Sequence, residues 1–323
     1  MSKIYLDDFN SKRFREFTSK YEQIAHLRTD LDKKIIIGIS GNNTCRYCGK
    51  SKPQVTFRKA AHVIPEFLGN KHLLSNFECD RCNDLFSKYE DAFSKFLGPL
   101  RTLTQIRGKS KTKIPKFVDH KTKNKIYETE GNINLDVFDS SKIIKEMNEK
   151  KLIINTFKNP YIPLFVYKAL IKIGIAILDE REITSYDSCL NFLKDNSVDD
   201  KYSRLSHLFC YFIPFPFIKS PEILLFRKRS KVWNTIPRHC VIMNFKNSSY
   251  QFFLPGHLDN EWIYENHVKE LKLPIFPLLC DYRLFRDNGI TYQFKTINLT
   301  SNEKLSEDFT LITLNFDKSR KFI

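Results

Sequence analysis

Two cysteine pairs constrain this chain more than any other feature of its sequence. They occupy residues 45–48 and 79–82, with the letters C-R-Y-C and C-D-R-C. Two thiolates three positions apart can bind one side of a tetrahedral zinc ion, and a second pair completes the site. The alternatives are two disulfides or four unrelated buried thiols, but a disulfide across so short a gap is strained and we expect no secretory signal. The predicted ligands of a closed, structural zinc site are Cys45, Cys48, Cys79 and Cys82.

The residues around the pairs predict two strands followed by a helix. Residues 55–57 (V-T-F) are β-prone, and residues 61–64 (A-H-V-I) form a second apolar run that Pro65 ends. Asn83 would lie in the first turn of the helix, facing the strand that holds His62. The helix itself is predicted from apolar residues at three-to-four spacing, namely Leu85, Phe86, Tyr89, Ala92, Phe93 and Phe96.

This block, about residues 40 to 100, resembles the HNH endonucleases of the ββα-metal class, and in particular their zinc-containing members with two cysteine pairs. The resemblance rests on His62, Asn76 and Asn83, on the run H-V-I-P-E-F-L-G-N that begins at His62, and on the closing C-D-R-C-N. It implies that His62 is the general base that activates water, that Asn76 braces the loop that aims it, and that Asn83 binds a catalytic Mg²⁺ or Mn²⁺. The alternative for His62 is a core histidine bonded to backbone.

One position departs from the family pattern. Many members carry a metal ligand immediately before the histidine, where this chain has Ala61. Water and phosphate oxygens could complete the metal shell around Asn83, or an acid could enter from elsewhere, with Glu66 and Glu90 nearest in sequence. We interpret Glu90 first as a neighbour that supports the metal site and second as a ligand. The departure also leaves open an inactive site.

The charge of the chain favours a nucleic-acid partner. It carries 53 Lys and Arg against 37 Asp and Glu, a net charge of +16, which suits an anionic polymer. Residues 113–118 and 125–128 flank a turn at 119–124 and predict a basic hairpin along phosphates, or a merely solvated one. The predicted phosphate contacts are Arg58, Lys59, Arg81, Arg101, Arg107, Lys109, Lys111, Lys113, Lys116, Lys121, Lys123 and Lys125.

The sequence predicts an α+β fold with an HNH module, an N-terminal helix and a separate C-terminal domain. We divide the chain into a helical segment (1–39), the HNH nuclease module (40–110), a basic hairpin and linker (111–150) and an α+β domain (151–323). Residues 8–31 predict the N-terminal helix. Residues 161–178 predict a helix that is buried on most sides and, because Lys168 and Lys172 interrupt it, does not cross a membrane.

The C-terminal domain shows no catalytic motif. A short helix is predicted at 186–193, with strands at 208–217, 223–226, 239–245 and 250–254. We interpret its four single cysteines as buried thiols rather than a second zinc site, which favours a reducing, cytoplasmic compartment. They are Cys189, Cys210, Cys240 and Cys280. The domain could be a DNA clamp, or a sensor of a partner or ligand.

These observations predict a metal-dependent endonuclease that hydrolyses DNA, either nicking it or cutting both strands. The resemblance further suggests a bacterial restriction or anti-phage effector that acts as a homodimer or with partner proteins of a defence system. Two alternatives remain: a non-catalytic zinc-dependent DNA-binding protein, for which Ala61 is the main support, and an RNA-directed nuclease, because phosphate contacts alone do not separate the two polymers.

Overall fold

The structure is a computed structural model of the chain, and it reveals a mixed α+β fold. It describes residues 7–29, 33–38, 41, 44–107, 114–138, 144–148, 151–195, 200–214, 216–232, 236–256, 273–280, 291–306 and 309–315. The α-helices among these residues are α1 (Asp8–Lys20), α2 (Asp80–Leu97), α3 (Leu100–Leu103), α4 (Pro163–Ala176) and α5 (Asp187–Lys194).

The strands of the described residues form one large sheet and three small ones. They are β1 (Tyr21–Arg28), β2 (Ile35–Ile37), β3 (Ala61–His62), β4 (Leu73–Ser75), β5 (Phe117–Val118), β6 (Lys125–Thr129), β7 (Asn132–Asp136), β8 (Ile144–Asn148), β9 (Lys151–Phe157), β10 (His207–Phe212), β11 (Glu222–Lys228), β12 (His239–Phe245), β13 (Ser248–Leu254), β14 (Gln293–Asn298) and β15 (Phe309–Asn315).

The large sheet is antiparallel and has the strand order β1-β11-β12-β13-β10-β14. Its central strands, β12 and β13, are buried in almost every position because both faces are covered. Neighbouring residues of β12, Val241 and Ile242, belong to two different hydrophobic clusters on opposite faces. On one face α4 lies so close that a side chain at Gly174 would collide with Leu254. The four predicted C-terminal strands are confirmed, although β10 ends at Phe212.

The N-terminal helix is shorter than predicted. It ends at Lys20, and Tyr21 begins β1, which pairs with β11 along its length. The predicted helix of residues 8–31 was wrong for residues 21–29, because Tyr21, Ala25 and Leu27 also fit the two-residue period of a strand. Residues 30 and 31 lie outside the described residues. Tyr21 is fully buried and its hydroxyl donates to the carbonyl of Pro237 at 2.6 Å. Pairing with the edge of β11 therefore favours a strand over a helix in this segment.

The cysteine block and the large sheet share one hydrophobic core. Helix α2, predicted correctly from its apolar spacing, packs along α4, which confirms the predicted buried helix. The aromatic rings of α2 supply the contacts, since Tyr89 lies 5.0 Å from Phe165 and Phe96 lies 5.6 Å from Tyr161 between ring centroids. One cluster of buried residues runs from Cys45 through both helices to the sheet. The division into domains stays a prediction.

Two small sheets flank this core. In the first, β4 lies between β2 and β3, parallel to β2 and antiparallel to β3. The predicted strand at 55–57 was wrong, because Asp80 at the start of α2 takes the polar groups of this segment. Its carboxylate accepts from Thr56 Oγ1 at 2.5 Å and from the backbone N–H groups of Arg58 and Lys59 at 2.9 and 2.8 Å. These bonds hold the segment to the helix instead of to a strand.

The second small sheet contains the predicted basic hairpin. Strands β5 and β6 are antiparallel, and β7 extends the sheet. Asp119, in the turn between β5 and β6, is fully buried and accepts from the N–H groups of Lys121 and Thr122 at 2.8 and 3.0 Å. It also accepts from the N–H group of Phe157 in β9 at 2.8 Å. The hairpin is therefore tied to the body of the protein at its turn.

Candidate active site and metal site

The four paired cysteines lie together, as predicted. Their sulfur atoms fall within 4.8 Å of one another, and none forms a disulfide. Cys45 and Cys48 lie in a tight turn that the N–H group of Gly49 closes on the Cys45 carbonyl at 2.8 Å. Cys79 is the N-cap of α2, and Cys82 lies in its first turn. The turn and the helix start therefore present two sulfur atoms each to one point.

The contacts among these sulfur atoms favour a bound cation. Sγ of Cys48 lies 3.8 Å from Sγ of Cys79, whose own N–H donates to Sγ of Cys45 at 3.5 Å. A hydrogen bond from Cys82 lowers the pKa of Cys45 to about 5, whereas burial raises the pKa of Cys79 to about 11. Four soft sulfur donors suit zinc, which thiolates bind with a full tetrahedral shell. The cluster could hold one zinc ion, and such an ion would have no position open to substrate.

Arg46 locks the first cysteine turn against the end of α4. Its guanidinium lies 3.9 Å from the centre of the Phe77 ring, and Nη2 lies 2.7 Å from the carboxylate of Glu180. A cation is favourable here because the C-terminus of a helix carries partial negative charge. Nη1 donates to three carbonyl oxygens at 3.0–3.2 Å, those of Ile175, Ala176 and Leu178.

His62 lies on β3 with a partly accessible side chain. Its Cα pairs with that of Leu74 in β4, and the imidazole is 24% exposed. Nε2 lies 3.9 Å from Oε2 of Glu66, one of the two acids considered for the ligand missing at Ala61. The carbonyl oxygen of His62 accepts a hydrogen bond from Nζ of Lys172 at 2.7 Å. The backbone of His62 is thus fixed while part of its imidazole remains accessible.

Lys172 reaches this backbone from α4 and is itself buried. Its Nζ lies 3.4 Å from the carboxylate of Glu78 and 3.1 Å from that of Glu90. Burial alone would lower the pKa of Lys172, but the two carboxylates raise it above its usual value. Burial raises the pKa of Glu78 to about 7. Glu90, predicted to support the catalytic metal, therefore binds the ammonium that holds His62.

Asn76 follows β4 and lies against the end of β2. Its N–H group donates to the carbonyl of Ile37 at 3.2 Å. Gly38, which follows Ile37, has φ of +112°, and a side chain there would collide with the amide oxygen of Asn76. Only glycine allows both this backbone angle and this close approach. The side chain of Asn76 therefore packs directly against the backbone of Gly38.

Asn83 lies in the first turn of α2, directly after Cys82. Its N–H group donates to the carbonyl of Cys79 at 2.9 Å, and its side chain is partly exposed. His62 thus lies on β3, Asn76 directly follows β4, and Asn83 lies in the first turn of α2. All three belong to one short block of the chain.

The predicted phosphate contacts differ in their exposure. Arg101 is partly buried: it donates to Ser94 Oγ and lies 5.1 Å from the centre of the Phe67 ring, and burial lowers its pKa. Lys125 is also partly buried, beside Phe138. Lys109, Lys111 and Lys113 lie outside the described residues. The remaining members are exposed, namely Arg58, Lys59, Arg81, Arg107, Lys116, Lys121 and Lys123.

The sequence did not predict the roles of Lys172, Glu78 and Arg46. A lysine within an apolar helix is a signal that could have identified the first, because a buried ammonium requires acidic partners. Glu78, between Phe77 and a cysteine, is such a partner. The four single cysteines of the C-terminal half are buried, as predicted, and none of them forms a disulfide. Within the described residues, the paired cysteines are the only group that could hold a metal through three or more His, Cys, Asp or Glu side chains.

Of the comparisons with known proteins, one gives a match, and it covers part of this block. None of the helices in the described part of the chain combines the length and hydropathy that a bilayer crossing requires. Neither the curated proteins nor the solved structures include a significant match to the chain. One family comparison nevertheless indicates a nuclease of the HNH type. Residues 45–97 match the model of the HNH endonuclease family, which supports recognition of this part of the chain as an HNH endonuclease domain.

Proposed function

We propose that this protein is a metal-dependent HNH endonuclease that hydrolyses DNA phosphodiester bonds. The observation that carries the proposal is that the family match coincides with the four-cysteine cluster and with His62 on a short strand. In this proposal β3, β4 and α2 form the ββα-metal unit of the family. A structural zinc ion at the cysteines would hold the start of α2 beside the strands.

His62 would act as the general base. A neutral imidazole can accept a proton from water near physiological pH, which suits attack on phosphorus. The accessible part of its ring provides the route for water and substrate. Lys172 would act as a positioning residue, because its hydrogen bond to the His62 carbonyl fixes the strand from which the imidazole extends. Asn76, seated against the end of β2, would limit the movement of the adjoining strand β4.

Asn83 and Glu66 are the residues that we propose to hold the catalytic Mg²⁺ or Mn²⁺. Both offer hard oxygen donors, which these ions prefer. Glu66 replaces the ligand missing at Ala61, since its carboxylate faces His62 whereas the carboxylate of Glu90 is held by Lys172. A bound divalent ion would supply charge stabilisation for the phosphorane-like transition state.

The exposed cations near this block would bind the DNA backbone. Arg58 and Lys59 precede β3, and Arg81 lies in the first turn of α2. The basic hairpin adds Lys116, Lys121 and Lys123. Contacts of this kind position a duplex by its phosphates without reading bases. We therefore expect cleavage with little sequence preference and with a strong dependence on salt.

The decisive variant is His62→Ala. We expect a loss of plasmid cleavage of about 10²–10⁴-fold, the usual contribution of a general base. The matched control is His72→Ala, because His72 directly precedes the central strand β4 of the same small sheet and has no proposed role. The assay measures conversion of supercoiled plasmid to open circle with Mg²⁺ or Mn²⁺. Undiminished cleavage by His62→Ala protein would refute the assignment of the base.

The same preparation separates the remaining alternatives. One site cuts one strand, so open circles should precede linear product unless the protein acts as a dimer. A protein that shifts DNA on a gel but yields no product with any divalent ion is the non-catalytic binder that Ala61 would allow. Parallel digestion of DNA and RNA identifies the polymer. The proposed defence role predicts that expression reduces phage plaque numbers in a His62-dependent manner.

A further inference from the structure

A basic cavity lies at one end of the large sheet, outside the cysteine block. It has a volume of about 660 Å³, within the range of cavities that bind small molecules. It opens where β1 and β11 meet the C-terminus of α1. Five cationic side chains and one carboxylate supply its charge, namely Arg227, Lys228, Arg229, Lys231, Arg238 and Glu22. None of its lining residues belongs to residues 45–97, which match the HNH family and are called the HNH block below.

Carboxylates hold the arginines of this cavity in place. Nη2 of Arg227 lies 2.8 Å from Glu22, and its Nη1 lies 3.3 Å from Glu182. Nε of Arg238 lies 3.7 Å from the same Glu182 carboxylate. Nε of Arg229 donates to the carbonyl of Thr18 in α1 at 2.9 Å. Guanidinium groups held in this way lose less conformational freedom when an anion binds.

Glu182 is in turn held by a buried chain of polar groups. Its carboxylate lies 2.6 Å from Nε2 of His239, and Nδ1 of that imidazole lies 2.5 Å from the hydroxyl of Tyr186. Both His239 and Tyr186 are completely buried. A buried polar chain of this kind is expensive in desolvation, and its outer end orients two arginines toward solvent. The arginines are thus supported from the interior of the protein.

We propose that this cavity is a phosphate-binding site, distinct from the HNH site. Arginine forks match phosphate oxygens in pairs, and lysines add point charges. Five cations outnumber the two carboxylates that pair with them, Glu22 and Glu182, and the excess positive charge fits a ligand with several negative charges. Such a ligand is either a free di- or triphosphate or consecutive phosphates of a nucleic-acid strand. These two sources present the same chemistry to the cavity.

The test removes two exposed cations without disturbing the buried chain. The full-length protein carries Arg229→Gln together with Lys231→Gln, and the matched control carries Lys12→Gln with Arg15→Gln, two exposed cations on α1 outside the cavity. All proteins also carry His62→Ala, so that DNA stays intact and the result does not depend on nuclease activity. The probes are inorganic pyrophosphate and ATP by calorimetry, and a labelled 20-base-pair duplex by fluorescence anisotropy.

We expect the cavity variant to bind at least one probe about tenfold or more weakly, the effect of losing a charge-assisted hydrogen bond. The control should stay within about twofold of the parent. Loss for pyrophosphate and ATP with unchanged duplex binding identifies a free nucleotide, and loss for the duplex identifies a strand. No binding of any probe, or equal affinities of the cavity and control variants, overturns the proposal.

Discussion

Lys172 connects the core helix α4 to the strand that carries His62. Its ammonium has three donors, and three acceptors surround it: the carbonyl of His62 and the carboxylates of Glu78 and Glu90. Buried ion pairs add little net stability compared with apolar packing. The main contribution of this cluster is therefore to fix the relative positions of the elements that carry these residues. We infer that it aligns β3, α2 and α4 in a single arrangement.

Replacing Lys172 by methionine should destabilise the fold and impair the site. The variant leaves the buried carboxylate of Glu78 and the partly exposed carboxylate of Glu90 without their cation. Breaking a buried ion pair in this way costs about 3–5 kcal/mol in the free energy of unfolding. Adding Glu78→Gln and Glu90→Gln should restore much of that stability, because the uncompensated charges disappear. Cleavage should stay impaired in the stabilised triple variant, because the carbonyl of His62 still lacks its donor. Urea unfolding and turnover at saturating DNA are the measurements.

The control for this experiment is Lys168→Met, one helical turn earlier on α4. Lys168 donates to the carbonyl of Asp195 and lies 4.3 Å from the centre of the Phe192 ring, so these contacts are with the end of α5 and not with β3. Burial lowers its pKa to about 8. Its replacement should leave turnover unchanged. Equal losses of turnover in both variants would mean that Lys172 acts only through general stability.

At the scale of elements, the sequence predicted what local spacing determines and missed what distant pairing determines. The apolar residues of α2 and α4 recur at helical spacing, and both helices form as predicted. Strand β4 has three residues and exists because β2 and β3 pair with its two edges. No local pattern distinguishes its sequence, L-L-S, from a loop. Tyr21 shows the converse, since its helical register yields to pairing with β11.

The same distinction applies to the candidate site. Cysteine spacing depends only on the geometry of one ion, so the cluster was predictable from the sequence. The family pattern placed His62, Asn76 and Asn83 on consecutive elements in the same way. Lys172 is separated from the block by the whole hairpin region, and only the packing of α4 on α2 brings it to His62. A lysine within an apolar helix indicates that acidic partners exist, but the sequence does not identify which residues they are.

The start of α2 should depend on zinc. Cys79 and Cys82 lie at its N-terminus, whereas Cys45 and Cys48 lie in a separate turn, so one zinc ion would join the two segments. Cys82→Ser should therefore reduce bound zinc from about one ion per chain, because three thiolates leave an open shell. Metal content by mass spectrometry and helicity by circular dichroism are the measurements.

A serine at Cys189 is the matched control. Cys189 is equally buried but lies in α5, outside the cluster. Its substitution should leave the zinc content unchanged even where it lowers the melting temperature. Unchanged zinc in the Cys82→Ser protein would show that the four sulfur atoms are not the ligands of that ion.

At the scale of the whole molecule, the HNH block is built into the core of the chain. The buried face of α2 packs on residues that follow the basic hairpin, and Arg46 extends to the end of α4. The hairpin is tied to β9 through Asp119. A ligand or partner that alters the large sheet could therefore influence His62 through α4, because Lys172 and the residues packed on β13 belong to the same helix.

This continuity predicts that residues 44–107 do not fold alone. In isolation Tyr89, Phe93 and Phe96 would lose the rings that cover them, and a chain of this length has little core to replace them. We expect the fragment to bind zinc. Even with zinc bound, it should bind a hydrophobic dye and melt without a sharp transition, whereas the full chain melts cooperatively. The comparison uses calorimetry and dye fluorescence at equal zinc content. A fragment that melts cooperatively and leaves the dye unbound would instead make residues 40–110 an independent domain. The proposed influence of the large sheet on His62 through α4 would then be contradicted.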